Sequence, residues 1–163
     1  QGYKMGKSLV EDDRLDIAKQ ILEDAKKSGV EILLPEDHIV ARDENAEPVA
    51  TASVNIEDDM IGYDIGPRTV KKFSEALRKA KTVFFNGPSG LFENPKFSHG
   101  TFEIVKAVSS LEGVTTVAGG GDTVTAIESL KLENRFTHIS TGGGASLEFM
   151  EGKELPGIKI LEE

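Results

Sequence analysis

The sequence has no cysteine, no tryptophan and only three histidines among its 163 residues. Without cysteine, a disulfide framework and a thiolate metal site are both excluded. His38, His99 and His138 do not have the spacing of a metal-binding set. None of the three has a carboxylate or a nucleophile at a fixed spacing, so the sequence indicates no catalytic triad for acyl transfer.

Positive charge is also scarce. The chain has 19 lysines and arginines against 28 acidic residues, which gives a net charge of −9. No basic block interrupts this acidic background, so we expect neither a nucleic-acid surface nor a surface for anionic membranes. No apolar stretch approaches the ~20 residues that a membrane span needs, and no signal-peptide pattern opens the chain. These features predict a cytoplasmic protein.

Hydrophobic periodicity predicts alternating helices and strands. Ser8 and Glu11 are typical of a capping box before a helix over Val10–Lys27. Val30–Leu34 is predicted to be a short buried strand, and Val49–Val54 a half-exposed one. The following elements are a helix that begins with Gly66-Pro67, strand Thr82–Phe85, helix Thr101–Leu111, strand Val114–Ala118, helix Thr123–Leu130, strand Thr137–Ser140 and helix Ala145–Met150.

This alternation predicts an α/β fold, a Rossmann-like parallel sheet flanked by helices. In such folds, ligands bind beyond the carboxyl ends of the strands. Three glycine-rich turns lie at those ends: Asn86–Gly90, Gly119–Thr123 and Thr141–Ser146. Glycine allows a ligand to approach the backbone, and the first turn of a helix has unpaired N–H groups that suit phosphate. The three turns therefore predict an edge of the sheet that handles phosphoryl groups.

Each turn also has a purely structural interpretation. A run of glycines can be a tight connection, and Asp122 can be a helix N-cap. Alternatively, Asp122 positions Mg²⁺ while the Thr123 hydroxyl donates to a phosphate oxygen. Glu93 is either a surface residue or an acceptor for ribose hydroxyls, with Leu91 lining the pocket for the base.

At these residues the chain resembles the phosphoglycerate kinase family. The similar segments follow the family's order and approximate spacing: Gly6–Glu11, Asp64–Pro67, Asn86–Glu93, Gly100-Thr101, Gly119–Thr123, Ser140–Glu148, Glu151–Lys153 and Leu155–Gly157. The resemblance implies that residues 1–163 are most of the nucleotide-binding C-terminal domain of a two-domain kinase. The N-terminal substrate domain and the first βα units would precede Gln1, where the chain begins without methionine.

The resemblance implies reversible phosphoryl transfer in glycolysis between 1,3-bisphosphoglycerate and Mg-ADP, which yields 3-phosphoglycerate and ATP. Mg²⁺ is the implied cofactor. Asn86, Pro88, Gly90 and Leu91 would lie beside the nucleotide, Glu93 on its ribose, Gly120, Gly121 and Thr123 at its phosphates, Asp122 at the metal, and Gly142, Gly143 and Gly144 facing the transferred phosphoryl group.

The family's lysines and its basic phosphoglycerate site would also lie before Gln1. We therefore expect this chain alone to be inactive, with the rest of its polypeptide as a partner chain. In the strand order 3-2-1-4-5-6, the absent strands would separate Val30–Leu34 from Thr82–Phe85, so we expect unpaired edges and aggregation. Two other classes stay open: a noncatalytic nucleotide- or phosphate-binding α/β module, and a structural domain whose side chains fill the turns.

Overall fold

The structure is a computed structural model that describes residues 2–140 and 142–161. The helices in this part of the chain are α1 (Leu15–Lys27), α2 (Pro67–Leu77), α3 (His99–Ser109), α4 (Gly121–Ser129), α5 (Gly143–Met150) and α6 (Pro156–Lys159). The strands are β1 (His38–Ala41), β2 (Val49–Ala50), β3 (Ile61–Ile65), β4 (Thr82–Asn86), β5 (Thr115–Gly119) and β6 (His138–Ser140). Within these ranges, no helix combines the length and apolar character needed to cross a membrane.

The predicted α/β fold with a parallel sheet is confirmed. Strands β4, β5 and β6 form a parallel sheet in that order, and helices connect them. Asn86 at the end of β4 lies opposite Gly119 in β5, and Gly119 lies opposite Ser140 in β6. The strands therefore end side by side, and the segments that follow them emerge at one edge of the sheet.

The hydrophobic core lies between this sheet and the helices α3 and α4. Val105 and Val108 from α3 and Ile127 from α4 are almost completely buried, together with Ala118 from β5. Each buried valine or isoleucine side chain contributes about 1.5–3 kcal/mol relative to an exposed one. Val70, Phe73 and Leu77 of α2, and Ala80 just beyond its end, pack against the same core.

A second sheet was not predicted from the sequence. It is antiparallel, with the order β2-β1-β3. The strand predicted over Val49–Val54 is shortened to Val49–Ala50. Beyond it, the Thr51 hydroxyl donates to the Ser53 carbonyl at 2.6 Å and accepts the His38 N–H at 2.9 Å, so the chain turns instead of extending.

A buried carboxylate fixes the second sheet to α2. Asp37, which precedes β1, is 2% exposed and accepts the N–H groups of Arg68 at 3.0 Å and Thr69 at 2.8 Å. The Thr69 hydroxyl also donates to Asp37, at 2.6 Å. Asp37 thus satisfies N–H groups in the first turn of α2 that have no intrahelical acceptor. These hydrogen bonds help to hold its pKa below the usual value, although burial acts in the opposite direction.

Two predictions for the amino-terminal part are wrong. Val30–Leu34 is not a strand, because within the described residues it has no neighbouring strand to pair with; Val30 is 59% exposed. The capping box does not form either. The Ser8 hydroxyl accepts the Gly62 N–H at 2.9 Å, and a short 3-10 turn, Asp12–Arg14, precedes α1. A contact distant in the sequence therefore replaces the local cap.

Candidate functional site

The three glycine-rich turns meet at the carboxyl edge of the parallel sheet. The Gly87 N–H of the first turn donates to Thr123 Oγ1 of the second at 2.7 Å. The second and third turns pack so closely that a Cβ on Gly143 would lie 3.0 Å from the Gly120 Cα. Thr141 of the third turn lies outside the described residues. These two contacts link the first turn to the second and the second turn to the third.

The second turn leads directly into α4. Gly120 has φ of +90°, a conformation that favours glycine, and its carbonyl accepts the Val124 N–H. Gly121 and Asp122 are exposed in the first helical turn, whereas Thr123 is 1% exposed. Helix geometry leaves the first N–H groups of α4 without intrahelical acceptors, and the helix dipole favours an anion there.

The third turn is organised by two serines. The hydroxyls of Ser140 and Ser146 are 2.7 Å apart, and Ser146 Oγ also donates to the Gly142 carbonyl at 3.0 Å. Gly142 and Gly144 are exposed, and a Cβ on Gly144 would have no neighbouring atom within 4 Å. The third turn is thus open at Gly144, although Gly143 is closely packed.

Thr101 supports the first turn from beneath. Its Oγ1 accepts the N–H groups of both Ser89 and Gly90 at 3.0 Å. The next residue, Leu91, donates its N–H to the Tyr63 carbonyl of β3 at 2.8 Å. The backbone of this turn is therefore fixed by α3 on one side and by β3 on the other.

A cavity of about 670 Å³ lies beside the first turn, lined by residues that include Pro88, Gly90, Leu91 and Glu93. Its volume is within the usual range for small-molecule sites. The cavity is also lined by residues that the sequence reasoning missed, among them Glu44, Gly62 and Tyr63. The Tyr63 ring stacks on Phe97, with centroids 4.5 Å apart and planes at 24°. Strand β3, which carries both Tyr63 and Asp64, was not predicted from the sequence.

Asp64 is a buried charge beneath this cavity. It is 4% exposed and accepts the N–H groups of Gly100 at 2.6 Å and Ile65 at 2.8 Å. Burial raises its pKa to about 6, although both hydrogen bonds and His99 favour the charged form. A Cβ on either Gly90 or Gly100 would overlap the Asp64 carboxylate. Glycine at these two positions therefore has a structural explanation.

The structure thus divides the predicted site residues into two neighbouring groups. Pro88, Gly90, Leu91 and Glu93 belong to the cavity. A second group lies on or beneath the glycine edge and consists of Asn86, Gly120, Gly121, Asp122, Thr123, Gly142, Gly143 and Gly144. A purely structural domain was expected to fill the turns with side chains; this holds at Gly90, but a Cβ on Gly121 or Gly144 would meet nothing within 4 Å.

The surroundings of Asp122 are compatible with magnesium shared with a ligand. Its carboxylate is exposed, and the described residues contain no group of three or more acidic or histidine side chains that could hold a metal by themselves. Mg²⁺ is commonly bound by one or two carboxylates together with substrate phosphates. Asp122 therefore fits such a shared ion and not an all-protein site.

These features define an α/β protein with glycine-rich turns at the carboxyl edge of a parallel sheet. The sequence profile of the family "Phosphoglycerate kinase" matches residues 1–153. Phosphoglycerate kinases of Dictyoglomus turgidum and Clostridium tetani are each 50% identical to the chain over 165 residues. The chain belongs to the phosphoglycerate kinase family.

Solved structures agree with this assignment. Phosphoglycerate kinase from Coxiella burnetii has a TM-score of 0.91 and 40% identity over 99% of the chain. Phosphoglycerate kinase from Pyrococcus horikoshii has a TM-score of 0.78 and 35% identity over 92% of it. The chain spans 41% of the length of the two curated relatives and 42% of the Coxiella protein. The chain therefore corresponds to part of a domain of these phosphoglycerate kinases.

Proposed function

We propose that the chain is the nucleotide-binding part of a phosphoglycerate kinase. The observation that carries the proposal is the Gly87–Thr123 hydrogen bond of 2.7 Å, which joins the turn beside the cavity to the first turn of α4. A cavity of about 670 Å³ suits a nucleoside, and the adjacent helix N-terminus suits its phosphates.

The cavity residues would bind the base and ribose of ADP or ATP. Pro88, Gly90 and Leu91 would contact the nucleoside in this cavity, which Tyr63 also lines. Glu93 is exposed at the same cavity, where its carboxylate would accept hydrogen bonds from ribose hydroxyls.

The glycine edge would hold the phosphates. Asn86, Gly120 and Gly121 would surround them, and the free N–H groups at the start of α4 would donate to phosphate oxygens. Thr123, which is 1% exposed, would support this site from below by holding the Gly87 N–H. Asp122 would share a magnesium ion with the nucleotide. When bound, Mg²⁺ would neutralise phosphate charge.

The third turn would face the phosphoryl group that moves between 1,3-bisphosphoglycerate and ADP. Gly142 and Gly144 are exposed there, and Gly143 lies against Gly120. Phosphoryl transfer needs oriented donors more than covalent participation by the protein, so backbone amides suit this role. The phosphoglycerate would be supplied by the substrate domain of the complete enzyme, which acts in glycolysis in the cytoplasm.

Calorimetric titration of the chain with ADP and Mg²⁺ tests this proposal. Glu93→Ala should weaken ADP binding by about 1–3 kcal/mol through loss of a carboxylate–hydroxyl contact. Glu112→Ala, another exposed glutamate, is the matched control and should leave the affinity unchanged. Asp122→Ala should reduce the effect of Mg²⁺ on ADP binding, whereas Glu128→Ala, exposed on the same helix, should not. Failure of the unsubstituted chain to bind ADP would contradict the proposal.

A further inference from the structure

Asp64 lies where three elements meet beneath the cavity. It belongs to β3, and its carboxylate fills the space beside Gly90 of the first turn and Gly100 of α3. We propose that Asp64 is a positioning residue that sets the backbone of the first turn for nucleoside binding. This inference rests on the proposed function, because it concerns the same cavity.

The connection from Asp64 to the turn is a short chain of hydrogen bonds. Asp64 Oδ2 accepts the Gly100 N–H at 2.6 Å, which fixes the start of α3. The next residue, Thr101, accepts the N–H groups of Ser89 and Gly90 through its Oγ1, each at 3.0 Å. The position of Asp64 therefore determines where Gly90 presents its backbone to the cavity.

The Asp64 carboxylate also restricts the backbone of the first turn by the space that it occupies. The space beside Gly90 and Gly100 is so small that a Cβ at either position would overlap Asp64. Both carboxylate oxygens are used, since Oδ1 accepts the Ile65 N–H at 2.8 Å. Asparagine has nearly the same shape but only one acceptor oxygen, so it would leave one of these two buried N–H groups without an acceptor.

Other titratable groups surround this cluster. His99 at the start of α3 favours the charged form of Asp64, and His38 lies on the neighbouring strand β1. Glu44 and Glu93 line the cavity above it. Burial raises the pKa of Asp64 to about 6, so a proton bound at lower pH would remove one acceptor from the cluster. Nucleoside affinity should then fall as the pH falls below about 6.

Adenosine and ADP binding to the 163-residue chain and its variants provide the test. At pH 7.5, Asp64→Asn should weaken both affinities about ten- to hundredfold, as expected for loss of a hydrogen bond to a charged group. Asp59→Asn, an exposed aspartate paired with Arg42, is the control and should have no effect. Thr101→Val, which removes the next acceptor in the chain of hydrogen bonds, should weaken binding similarly, whereas Thr101→Ser should retain it.

Two further measurements separate positioning from general stability. Adenosine affinity should lose its dependence on pH near 6 in Asp64→Asn but keep it in His99→Gln. The amide NMR shifts of Ser89 and Gly90 should change in ligand-free Asp64→Asn and not in Asp59→Asn. A folded Asp64→Asn or Thr101→Val chain with unchanged adenosine affinity would overturn the proposal.

The amide shifts also distinguish this inference from the proposed function. If the unsubstituted chain binds neither adenosine nor ADP, the nucleotide-binding function is wrong. In that case, unchanged Ser89 and Gly90 shifts in Asp64→Asn would show that Asp64 does not set the turn either, and altered shifts would show that it does.

Discussion

Thr123 and Gly87 lie 36 residues apart in the sequence and are joined by a hydrogen bond from the Gly87 N–H to Thr123 Oγ1 at 2.7 Å. The bond connects the turn after β4 to the first turn of α4. Because Thr123 is 1% exposed, water cannot readily replace this acceptor. The hydroxyl therefore holds two of the glycine-rich turns in register.

Thr123→Val should destabilise the chain by about 0.5–1.5 kcal/mol, because it removes the buried hydroxyl that accepts the Gly87 N–H at nearly unchanged side-chain volume. Thr125→Val on the same helix is the matched control. The Thr125 hydroxyl donates only to the exposed Gly121 carbonyl, so the change should stay within about 0.5 kcal/mol. Urea unfolding measures both. Equal effects of the two substitutions would show that the Thr123–Gly87 contact is unimportant.

Gly100→Ala and Gly121→Ala should have opposite effects. Gly100 is buried against Asp64, so an added methyl group should cost about 1–3 kcal/mol through overpacking. A Cβ on Gly121 would meet nothing within 4 Å, so alanine there should preserve or slightly raise the free energy of unfolding. It should nevertheless weaken ADP binding by obstructing the phosphate site. Unchanged ADP affinity in Gly121→Ala would remove this position from the proposed site.

Asp64→Asn should change how stability depends on pH. The pKa of Asp64 is raised from 3.8 to about 6 in the folded chain. Between these values the folded state binds more protons at Asp64 than the unfolded state does, so its contribution to stability decreases as the pH rises through this window. Asparagine removes that contribution.

Burial lowers the pKa of His38, so its contribution makes stability rise with pH. Because His38 is present in both the unsubstituted chain and the Asp64→Asn chain, the difference between their free energies of unfolding isolates the effect of Asp64. The pKa of Asp37 is lowered from 3.8, so its effect on stability falls below the pH range between 3.8 and about 6. His99 is also common to both chains. Urea unfolding from pH 4 to 7 measures the difference, and parallel profiles for the two chains would contradict the assignment of this slope to Asp64.

Hydrogen exchange should differ sharply between two apolar segments. Strand β4 lies at the edge of the parallel sheet and pairs with β5, whereas residues 31–34 donate no backbone hydrogen bond within the described part of the chain. We expect slow exchange for the β4 amides that point towards β5 and fast exchange in residues 31–34, accompanied by self-association detectable by light scattering. Strong and uniform protection of both segments in a monomer would show this expectation to be wrong.

The chain alone should show no measurable phosphoglycerate kinase activity. Its net charge is −9, and the residues that we place at the phosphates and at the transferred phosphoryl group include no lysine or arginine: Asn86, Gly120–Thr123 and Gly142–Gly144. Because cations at the transferred phosphoryl group contribute about 10³-fold or more to the rate, their absence should abolish turnover. A coupled assay with 1,3-bisphosphoglycerate and ADP measures this. Turnover near ordinary enzyme rates would contradict the prediction.

The parallel sheet and its helices could be predicted because their signals are local. Thr82–Phe85 and Val114–Ala118 are short apolar runs followed by glycines, and both form strands within one residue of the predicted bounds. Parallel pairing then places all strand ends at one edge, so the meeting of the turns also followed from the sequence. The match of Asn86–Glu93 and Gly119–Thr123 to the family pattern was visible at the same level.

Only the tertiary structure decided which residues that are distant in the sequence form hydrogen bonds or close contacts with each other. Val30–Leu34 has the apolar pattern of a strand but lacks a pairing partner among the described residues, and a strand needs one to bond its backbone. Ser8 bonds to Gly62 instead of capping α1. The Asp64 carboxylate leaves no room for a side chain at Gly90 or Gly100, which lie 26 and 36 residues further along the sequence, respectively. Hydrophobic periodicity reflects which face of a single helix or strand is buried. The hydrogen bonds and close contacts named here depend instead on how several elements pack against one another.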